Sequence, residues 1–299
     1  MRHLLEIDDL SVDELADILE RSSLSDPAPV LEGRGVALLF EKPSARTRNS
    51  MEMAVVQLGG HPLTIRPDEV GLDTRETVED VIRTLACYHD VIGARVFEHS
   101  KLDRAVAVST VPVVNMLSDE AHPLQGLADV LTLASEFGGI DALAGRTVAY
   151  VGDGNNVARS LALAAGMLGM QVRIATPAGY ELSASDSARV RAAGVALECT
   201  DDPMQACEGA DAVYTDVWTS MGQESESAER RAAFADFTVT EALMDRASRD
   251  AVFLHCLPAH RGEEVTAEVL EGGRSRVWAQ AANRMHAARG ALHWLMEQR

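Results

Sequence analysis

The sequence of 299 residues predicts an α/β protein with two doubly wound parallel-sheet domains, a cleft between them and a C-terminal helix packing back on the first domain. Three observations support this fold class. Short β-branched runs alternate with helical patterns, as in parallel sheets with crossover helices. A break at Gly138-Gly139 separates two such series. The length is sufficient for two domains, each with its own core.

The first series predicts a domain of residues 1–140. An N-terminal helix opens with a capping box of Ser11 and Glu14. Strands are predicted at 35–40, 91–96 and 111–116, and further helices near 76–87, near 101–108 and from 122 to 137. The helix after the first strand is mostly apolar, which predicts that it is covered. Its apolar residues are Met51, Met53, Val55, Val56 and Leu58.

The second series predicts a domain of residues 141–276. Its predicted strands are 147–151, 172–176, 212–216 and 251–255, with helices near 156–168, 185–193 and 240–247. The boundary is expected inside 137–146. The last helix, at about 277–299, is assigned to the first domain. The segment 223–231 is charged without periodicity, which predicts a mobile loop.

Composition limits the partners and the compartment. The formal net charge of -19 argues against a nucleic-acid partner, because phosphate backbones are bound by clustered Lys and Arg. Lysine occurs only at Lys42 and Lys101. No apolar run reaches the roughly 20 residues that span a bilayer, so no membrane partner is expected. The four cysteines show no C-x-x-C spacing and no secretory leader precedes the acidic N-terminal segment, so we expect a cytoplasmic protein.

The segment 40–48 joins the first strand to the following helix and predicts an anion site. Ser44 occupies the expected N-cap, so the free backbone N–H groups of the first turn lie close behind it. Arg46 and Arg48 add two guanidinium groups. The alternative is a capped helix with two solvated arginines.

Two further features of the first domain suggest a ligand. His122 and Gln125 lie three residues apart at the start of a helix, so both are expected on one face. A histidine in that position is otherwise a cap or a core residue. Arg95 lies near the end of a hydrophobic strand, where an arginine is costly unless it is paired or at a site.

In the second domain, a Gly-Asp-Gly-Asn-Asn-Val segment follows a strand and opens a helix. Dinucleotide binding is disfavoured, because Val157 stands where a third glycine is expected and no acid lies near position 176. We interpret the segment as a turn that places an Asn side chain at a helix N-terminus, ready to donate to a carboxylate. A capping Asn without a ligand is the alternative.

Asp216 to Gly222 and His255 to Pro258 lie at the carboxyl ends of two strands, where ligands bind in open α/β sheets. The acid and hydroxyl there suit a substrate ammonium. Cys256 is not inferred to be an activated nucleophile, because His255 points to the opposite side of the strand. A zinc site of His255, Cys256 and His260 lacks the usual spacing and a fourth ligand.

Together the motifs Ser-x-Arg-Thr-Arg, His-Pro-x-Gln, Gly-Asp-Gly-Asn-Asn, Asp-x-x-x-Ser-Met-Gly and His-Cys-Leu-Pro resemble those of the transcarbamylases, in order and approximate spacing. The first two resemble the carbamoyl phosphate side that the superfamily shares. The motifs at 216–222 and 255–258 resemble the ornithine branch, not the aspartate branch. The resemblance covers nearly the whole chain.

The resemblance implies a site for each of two substrates, with no metal and no cofactor. The residues implied to bind carbamoyl phosphate are Ser44, Ala45, Arg46, Thr47, Arg95, His122, Gln125, Cys256, Leu257 and Arg284. Those implied to bind ornithine are Asn156, Asp216, Ser220 and Met221. Catalytic roles are implied for Arg46, Arg95, His122 and Cys256, with Arg95 and His122 polarising the carbamoyl carbonyl. A homotrimer, or an assembly of trimers, with sites at subunit interfaces is also implied.

The chain departs from the ornithine pattern at three positions. Ala45 replaces the usual Thr and Leu124 the usual Cys, and both changes keep the backbone contacts. Gly71 stands where the family's loop from a neighbouring subunit offers a Gln. Asp73 or Arg75 is the alternative contact there, and only Arg75 has a charge suited to phosphate.

The implied reaction is attack of the neutral δ-amine of ornithine on the carbamoyl carbon, giving citrulline and phosphate. One alternative keeps carbamoyl phosphate but uses putrescine, lysine or a modified ornithine as acceptor. Asn156 discriminates between these acceptors, because one without a carboxylate has no use for it. A different class of alternative is a non-catalytic paralogue that binds a metabolite or a protein.

Overall fold

Two parallel sheets form the framework of the described residues, which are 1–219 and 224–298 of a computed structural model. The chain divides into two compact units. Unit 1 contains Met1–Ala128 and the residues from Arg284 onward, and unit 2 contains Asp129–Asn283. The predicted fold class of two parallel-sheet α/β domains is confirmed.

Unit 1 contains a four-stranded sheet with the order β2-β1-β3-β4. The strands are β1 (Gly35–Phe40), β2 (His61–Ile65), β3 (Val91–Arg95) and β4 (Val113–Leu117). The helices are α1 (Val12–Ser22), α2 (Ala45–Gln57), α3 (Pro67–Val70), α4 (Val78–Ala86) and α5 (Ser100–Val108). Phe40 pairs with Arg95, so the carboxyl ends of β1 and β3 lie side by side.

Unit 2 contains a five-stranded sheet with the order β7-β6-β5-β8-β9. Its strands are β5 (Thr147–Val151), β6 (Gln171–Ala175), β7 (Leu197–Thr200), β8 (Ala212–Thr215) and β9 (Val252–His255). The remaining helices of the chain are α6 (Pro123–Phe137), α7 (Asn156–Met167), α8 (Ala184–Ala192), α9 (Pro203–Cys207), α10 (Ser227–Ala233), α11 (Glu241–Met244), α12 (Ala267–Leu270) and α13 (Val277–Glu297). The two units divide within α6, at Ala128 and Asp129, and within α13, at Asn283 and Arg284. The domain boundary expected inside 137–146 stays a prediction.

The end of α13 packs in unit 1, as predicted. Arg289 Nη2 donates to the carbonyl oxygen of Ser22 at 2.8 Å, which ties α13 to the end of α1. Gly290 allows this close approach, because a Cβ there would lie 2.6 Å from the carbonyl oxygen of Ile18. A side chain at position 290 therefore has no room beside α1.

Two sequence predictions are wrong. The segment 223–231 was expected to be a mobile loop, but in its described part, 224–231, α10 begins and buries Arg230, whose Nη1 donates to the carbonyl oxygen of Trp218 at 2.9 Å. Long-range contacts of one arginine therefore order a segment that has no apolar periodicity. The helix α2 was expected to be covered, but Met53 and Val56 are 47% and 50% exposed.

The edge strands β2 and β7 were not predicted. The β2 strand contains Pro62, and its residues are exposed or half-buried. The Glu198 and Cys199 side chains of β7 are exposed. Neither strand therefore shows the continuous apolar run of the central strands. Within the described part of the chain, no helix is both long and apolar enough to cross a lipid bilayer.

Candidate active site

The junction between β1 and α2 is built as an N-terminal helix cap. Ser44 is extended, and its Oγ accepts a hydrogen bond from the N–H of Thr47 at 3.3 Å. Thr47 is 2% exposed, and its Oγ1 accepts from Arg95 Nη1 at 3.2 Å. The guanidinium at the end of β3 is thereby joined to the first turn of α2, whose N–H groups favour an anion.

The two arginines of the first turn of α2 have different environments. Arg48 Nε donates to Glu52 Oε1 at 2.8 Å, and the same oxygen accepts from Thr64 Oγ1 at 2.6 Å. Arg48 also lines a cavity of about 420 Å³ with Ser44. The positive charge of Arg46, in contrast, lowers the pKa of Arg95. The charge of Arg46 therefore acts on Arg95, whereas Arg48 is paired with Glu52; two guanidinium groups at the anion site stay a prediction.

Four cations lie near His122 or near Arg95, and we call them the cationic cluster. They are Lys42, Arg46, Arg95 and Arg284. Burial, then Arg284 and Arg46, lower the pKa of Arg95 to about 10. Burial, then Arg284, Arg95 and Lys42, lower the pKa of His122 well below its usual value. Arg284 Nη1 lies 3.5 Å from Nδ1 and 3.4 Å from Nε2 of His122. The imidazole is therefore neutral at neutral pH.

His122 is held in place by a buried polar turn that sequence reasoning missed. The Nδ2 of Asn115, a fully buried side chain on β4, donates to the carbonyl oxygen of Ala121 at 3.3 Å. Ser118 Oγ accepts from the N–H of Ala121 at 3.2 Å. Gln125, 3% exposed, follows in the first turn of α6, and its N–H donates to the carbonyl oxygen of His122 at 2.9 Å. His122 and Gln125 thus both lie buried at the start of α6.

The loop after α3 accounts for Gly71. Gly71 has a φ of 62°, and a Cβ there would lie 2.8 Å from Thr74 Oγ1. This conformation suits glycine better than glutamine. The Asp73 carboxylate accepts two hydrogen bonds from Arg104, at 2.8 and 3.0 Å. Arg75 is exposed, and its Nη1 donates to the carbonyl oxygen of Glu69 at 3.4 Å.

In unit 2, Asp216 collects polar groups at the carboxyl end of β8. It is 5% exposed, and its Oδ1 accepts from Cys256 Sγ at 2.9 Å. Its Oδ2 accepts from Asn155 Nδ2 at 3.3 Å. Burial and the Asp216 charge raise the pKa of the Cys256 thiol well above its usual value. Cys256 is therefore a protonated hydrogen-bond donor and not a thiolate.

The two neighbouring asparagines are not equivalent. Asn155 is the N-cap of α7, and its Oδ1 accepts from the N–H groups of Val157 and Ala158 at 2.9 and 3.1 Å. Asn156, which sequence reasoning selected, is the first residue of the helix and is half-buried. The cap and the contact to Asp216 thus belong to Asn155.

A chain of hydrogen bonds fixes the backbone at Leu257. His255 Nδ1 accepts from the Leu257 N–H at 2.8 Å, so its Nε2 carries the proton and faces Glu264 Oε1 at 3.1 Å. Glu264 and His255 are buried. Leu257 has a φ of 61°, which is strained for a branched residue and typical of functional sites. Sequence reasoning missed Glu264.

Asp153 adds a second buried acid to unit 2. Burial raises its pKa to about 6, against the opposing charge of Arg230, whose Nη1 lies 3.3 Å from Asp153 Oδ2. Tyr150 is fully buried, and its pKa is raised by burial and then by the charges of Asp216 and Asp153. These groups form an acidic cluster, which we define as Tyr150, Asp153, Asp216 and Cys256.

Two groups of possible metal ligands occur among the described residues. They are Asp216, His255 and Cys256, and His260, Glu263 and Glu264, with the ligand atoms of each group within 4.8 Å of one another. Neither group is the set of His255, Cys256 and His260 that the sequence disfavours as a zinc site. Both ring nitrogens of His255 already have partners, and the Cys256 thiol is protonated, so the first group is built as a hydrogen-bonded cluster.

The predicted site residues thus lie in two groups, one in each unit. Unit 1 contains Ser44, Ala45, Arg46, Thr47, Arg95, His122, Gln125 and Arg284, and unit 2 contains Asn156, Asp216, Cys256 and Leu257. The predicted residues Ser220 and Met221 lie outside the described residues.

Comparison with known proteins gives the family. The carbamoyl-P binding domain of the aspartate/ornithine carbamoyltransferases matches residues 2–135, and the Asp/Orn binding domain matches residues 144–295. The chain belongs to the aspartate/ornithine carbamoyltransferase family. It is 47% identical to an ornithine carbamoyltransferase of Acidothermus cellulolyticus over 308 aligned residues, which cover 99% of this chain and 97% of the relative.

Solved structures give the same result for this carbamoyltransferase-family chain. Ornithine carbamoyltransferase from Pyrococcus furiosus has a TM-score of 0.93 and 43% identity, covering 99% of this chain and 97% of the other. An anabolic ornithine carbamoyltransferase from Campylobacter jejuni has a TM-score of 0.95 and 33% identity, with full coverage of both chains. The predicted membership of the transcarbamylases is confirmed.

Proposed function

We propose that the chain transfers the carbamoyl group of carbamoyl phosphate to the δ-amine of L-ornithine, giving L-citrulline and phosphate, a step of the arginine biosynthesis or urea-cycle type. The observation that carries this proposal is the buried cationic cluster beside the N-terminus of α2. Buried like charges are costly until an anion binds them, and carbamoyl phosphate is an anion. Relatives that cover nearly the full chain are named ornithine carbamoyltransferases.

The cationic cluster is proposed to bind carbamoyl phosphate, the donor of the carbamoyl group. The N–H groups of the first turn of α2 and the Arg46 guanidinium bind the phosphate. Arg95 and His122 donate to the carbamoyl oxygen, where negative charge develops during the reaction. The further proposed contacts to carbamoyl phosphate are Ser44, Ala45, Thr47, Gln125, Cys256, Leu257 and Arg284. Because His122 is neutral, it acts as a hydrogen-bond donor and not as an acid.

The acidic cluster is proposed to bind the acceptor. The Asp216 carboxylate binds an ammonium group of ornithine, and Asn156 binds its carboxylate. Ser220 and Met221 are proposed to complete this site. The neutral δ-amine attacks the carbamoyl carbon, a tetrahedral intermediate forms, and phosphate leaves and takes the proton. Orientation of the two substrates and stabilisation of the oxyanion are the protein's contributions.

The rate is expected to rise with pH, because a free alkylammonium has a pKa of about 10 and only the neutral amine attacks. Initial rates of citrulline formation from about pH 6 to about pH 9 measure this dependence. A flat profile under conditions where product release is not limiting would contradict the proposed attack.

The assembly and the compartment are part of the same proposal. We propose a homotrimer, or an assembly of trimers, in the cytoplasm. The half-exposed apolar side chains of Met53 and Val56 on α2 and Leu63 on β2 support a subunit interface. Arg75 is the proposed contact from a neighbouring subunit in place of the usual Gln. Light scattering of the purified protein measures the mass of the assembly.

The deciding experiment compares two arginines of one helix turn. Phosphate release from carbamoyl phosphate is measured with ornithine, acetylornithine, putrescine and lysine. Arg46→Ala is expected to lose about a hundredfold or more of the ornithine-dependent rate, because it removes a charged phosphate contact. Arg48→Ala is the matched control and is expected to retain most activity, because Arg48 is paired with Glu52.

Each outcome favours one function. Turnover with ornithine and not with putrescine supports the proposal. A preference for an acylated ornithine would instead support the modified acceptor, and an N-acetyl-L-ornithine transcarbamylase is among the similar structures, at 28% identity and a TM-score of 0.88. No turnover of any amine by the wild-type protein would support a non-catalytic paralogue.

A further inference from the structure

The distribution of lysine is the starting observation. The chain has 27 Lys and Arg residues, of which only Lys42 and Lys101 are lysines. Lys42 belongs to the cationic cluster, and Lys101 is ion-paired with Glu41, which precedes Lys42 in the chain. Lysine differs from arginine in that its amine can lose its proton and become a nucleophile. The chain therefore places its only two side-chain amines beside the proposed carbamoyl phosphate site.

Lys101 is held in an ion pair. Its Nζ lies 2.7 Å from Glu41 Oε1, and both side chains are only 12% exposed. The other oxygen of Glu41 accepts from the N–H of Phe97 at 2.8 Å. This buried ion pair keeps the Lys101 amine in contact with a carboxylate.

Lys42 has a different environment. Its Nζ lies 4.7 Å from the centre of the Phe97 ring, and no ion pair of Lys42 occurs among residues 1–219 and 224–298. Burial, and then the positive charge of Arg95, lower the pKa of Lys42 against the opposing charges of Asp119 and Glu41. A larger fraction of Lys42 than of an ordinary lysine is therefore a neutral amine.

The backbone places Lys42 at the donor site. Phe40 pairs with Arg95, and the N–H of Glu41 donates to the carbonyl oxygen of Arg95 at 2.8 Å. Lys42 follows directly, two residues before the Ser44 cap. Its charge also contributes to the low pKa of His122. Lys42 thus lies between β1 and the Ser44 cap, close enough to His122 and Arg95 for the charges to act on one another.

We propose that Lys42 is a modification site that becomes carbamoylated by bound carbamoyl phosphate when ornithine is absent. The proposal rests on the proposed function, which supplies the donor. The neutral Nζ attacks the carbamoyl carbon, the new C–N bond forms, and the C–O bond to phosphate breaks. Phosphate leaves with the bonding electron pair, and the extra proton on nitrogen passes to phosphate or water. The product is an uncharged ureido side chain.

The modification has a consequence for the cationic cluster. It removes one positive charge beside Arg95 and His122, which weakens the attraction for a phosphate dianion. An enzyme that waits with its donor but without its acceptor therefore loses activity with time. Ornithine protects Lys42, because it consumes the bound carbamoyl phosphate.

The test uses carbon-13 carbamoyl phosphate and the purified full chain without ornithine. Peptide mass spectrometry measures the ureido label on Lys42 and on Lys101, the matched internal control. Lys42 is expected to be labelled about tenfold or more faster than Lys101, because burial lowers the pKa of Lys42 and so raises its neutral fraction, whereas the Lys101 amine is ion-paired with Glu41. Ornithine is expected to suppress the label.

Two variants separate bound donor from free cyanate, which carbamoyl phosphate releases in water. Arg46→Ala is expected to lose the label from carbamoyl phosphate and to keep the label from added cyanate, whereas Arg48→Ala keeps both. Label that is independent of Arg46 would overturn the proposal, because it would come from cyanate alone. Lys42→Arg keeps a cation without the amine, so its citrulline activity is expected not to decay during preincubation with carbamoyl phosphate.

The same samples are assayed for citrulline after ornithine is added. A sample can form citrulline and yet carry no label on Lys42, or carry label that appears there no faster than on Lys101. This result overturns the proposed carbamoylation of Lys42 and leaves the proposed function intact. A fresh sample that was not preincubated with carbamoyl phosphate and forms no citrulline overturns the proposed function, and the donor for Lys42 with it.

Discussion

The two units bury charge of opposite sign at the same place in the fold. In unit 1 the cationic cluster lies at the carboxyl ends of parallel strands, and burial lowers the pKa values of Arg95 and His122. In unit 2 the acidic cluster lies at the same ends of the second sheet, and burial raises the pKa values of Asp153 and Cys256. Each cluster disfavours its own charge, so each is suited to a ligand of opposite charge.

The largest expected effect comes from the centre of the cationic cluster. Arg95→Met removes the guanidinium that links Thr47 to the proposed carbonyl site, and kcat/KM for carbamoyl phosphate is expected to fall about a thousandfold. Steady-state kinetics with saturating ornithine measure the loss. Arg104→Met, which removes an exposed guanidinium of the same unit, is the control. Equal losses in both variants would show that general positive charge, and not the buried cluster, is responsible.

The pH dependence of folding tests the acidic cluster. The pKa of Asp153 is about 6 in the folded chain and about 3.8 for an unperturbed Asp, so the folded state binds more protons between these values. The free energy of unfolding is therefore expected to fall as pH rises through this window, by up to about 3 kcal/mol. Asp153→Asn removes this slope. Urea unfolding at several pH values measures it, and an unchanged slope in the variant would contradict the raised pKa.

Asp216→Asn is expected to act on the acceptor only. The KM for ornithine is expected to rise about tenfold to a hundredfold, because a charge-assisted hydrogen bond contributes about 1.5 to 3 kcal/mol. The affinity for carbamoyl phosphate is expected to change little. Calorimetric titration of each substrate measures the two effects separately. A loss of carbamoyl phosphate affinity as large as the ornithine effect would break the division of labour between the clusters.

The smallest effect is expected at Cys256. Its protonated thiol donates to Asp216, and Cys256→Ser supplies another donor at that position. The rate is expected to stay within about tenfold of wild type, because no thiolate is lost. Loss of all activity in this variant, with the fold intact by circular dichroism, would show that Cys256 has a nucleophilic role.

Local signals in the sequence explain which features were predictable. The β1–α2 junction was predicted because a buried apolar strand, the Ser44 cap and the following arginines are all local. The edge strand β7 was missed because exposed strands lack the apolar run. The separation of Arg46 from Arg48 depends on Glu52, four residues after Arg48 on the same helix, and on the tertiary contact of Glu52 with Thr64, which the motif does not show.

The site residues of unit 2 were less predictable, because their arrangement also depends on tertiary contacts. Asp216 was found from its position after a strand, but its hydrogen bond from Asn155 was not predicted. The Leu257 N–H donates to Nδ1 of His255, and Glu264, nine residues after His255, contacts the other ring nitrogen. The backbone at Leu257, with its positive φ, is held by these contacts. Such a chain of contacts has no periodic signature in the sequence.

Each cluster is electrostatically incomplete until its ligand binds. In the cationic cluster, the protonation of His122 reports this directly. Nitrogen NMR of the His122 ring, assigned by a His122→Gln variant, measures its protonation in the free protein and with bound phosphate. The ring is expected to stay neutral well below its usual pKa of 6.5 in the free protein and to titrate at higher pH with phosphate bound. A free-protein pKa at or above 6.5, unchanged by phosphate, would contradict the account.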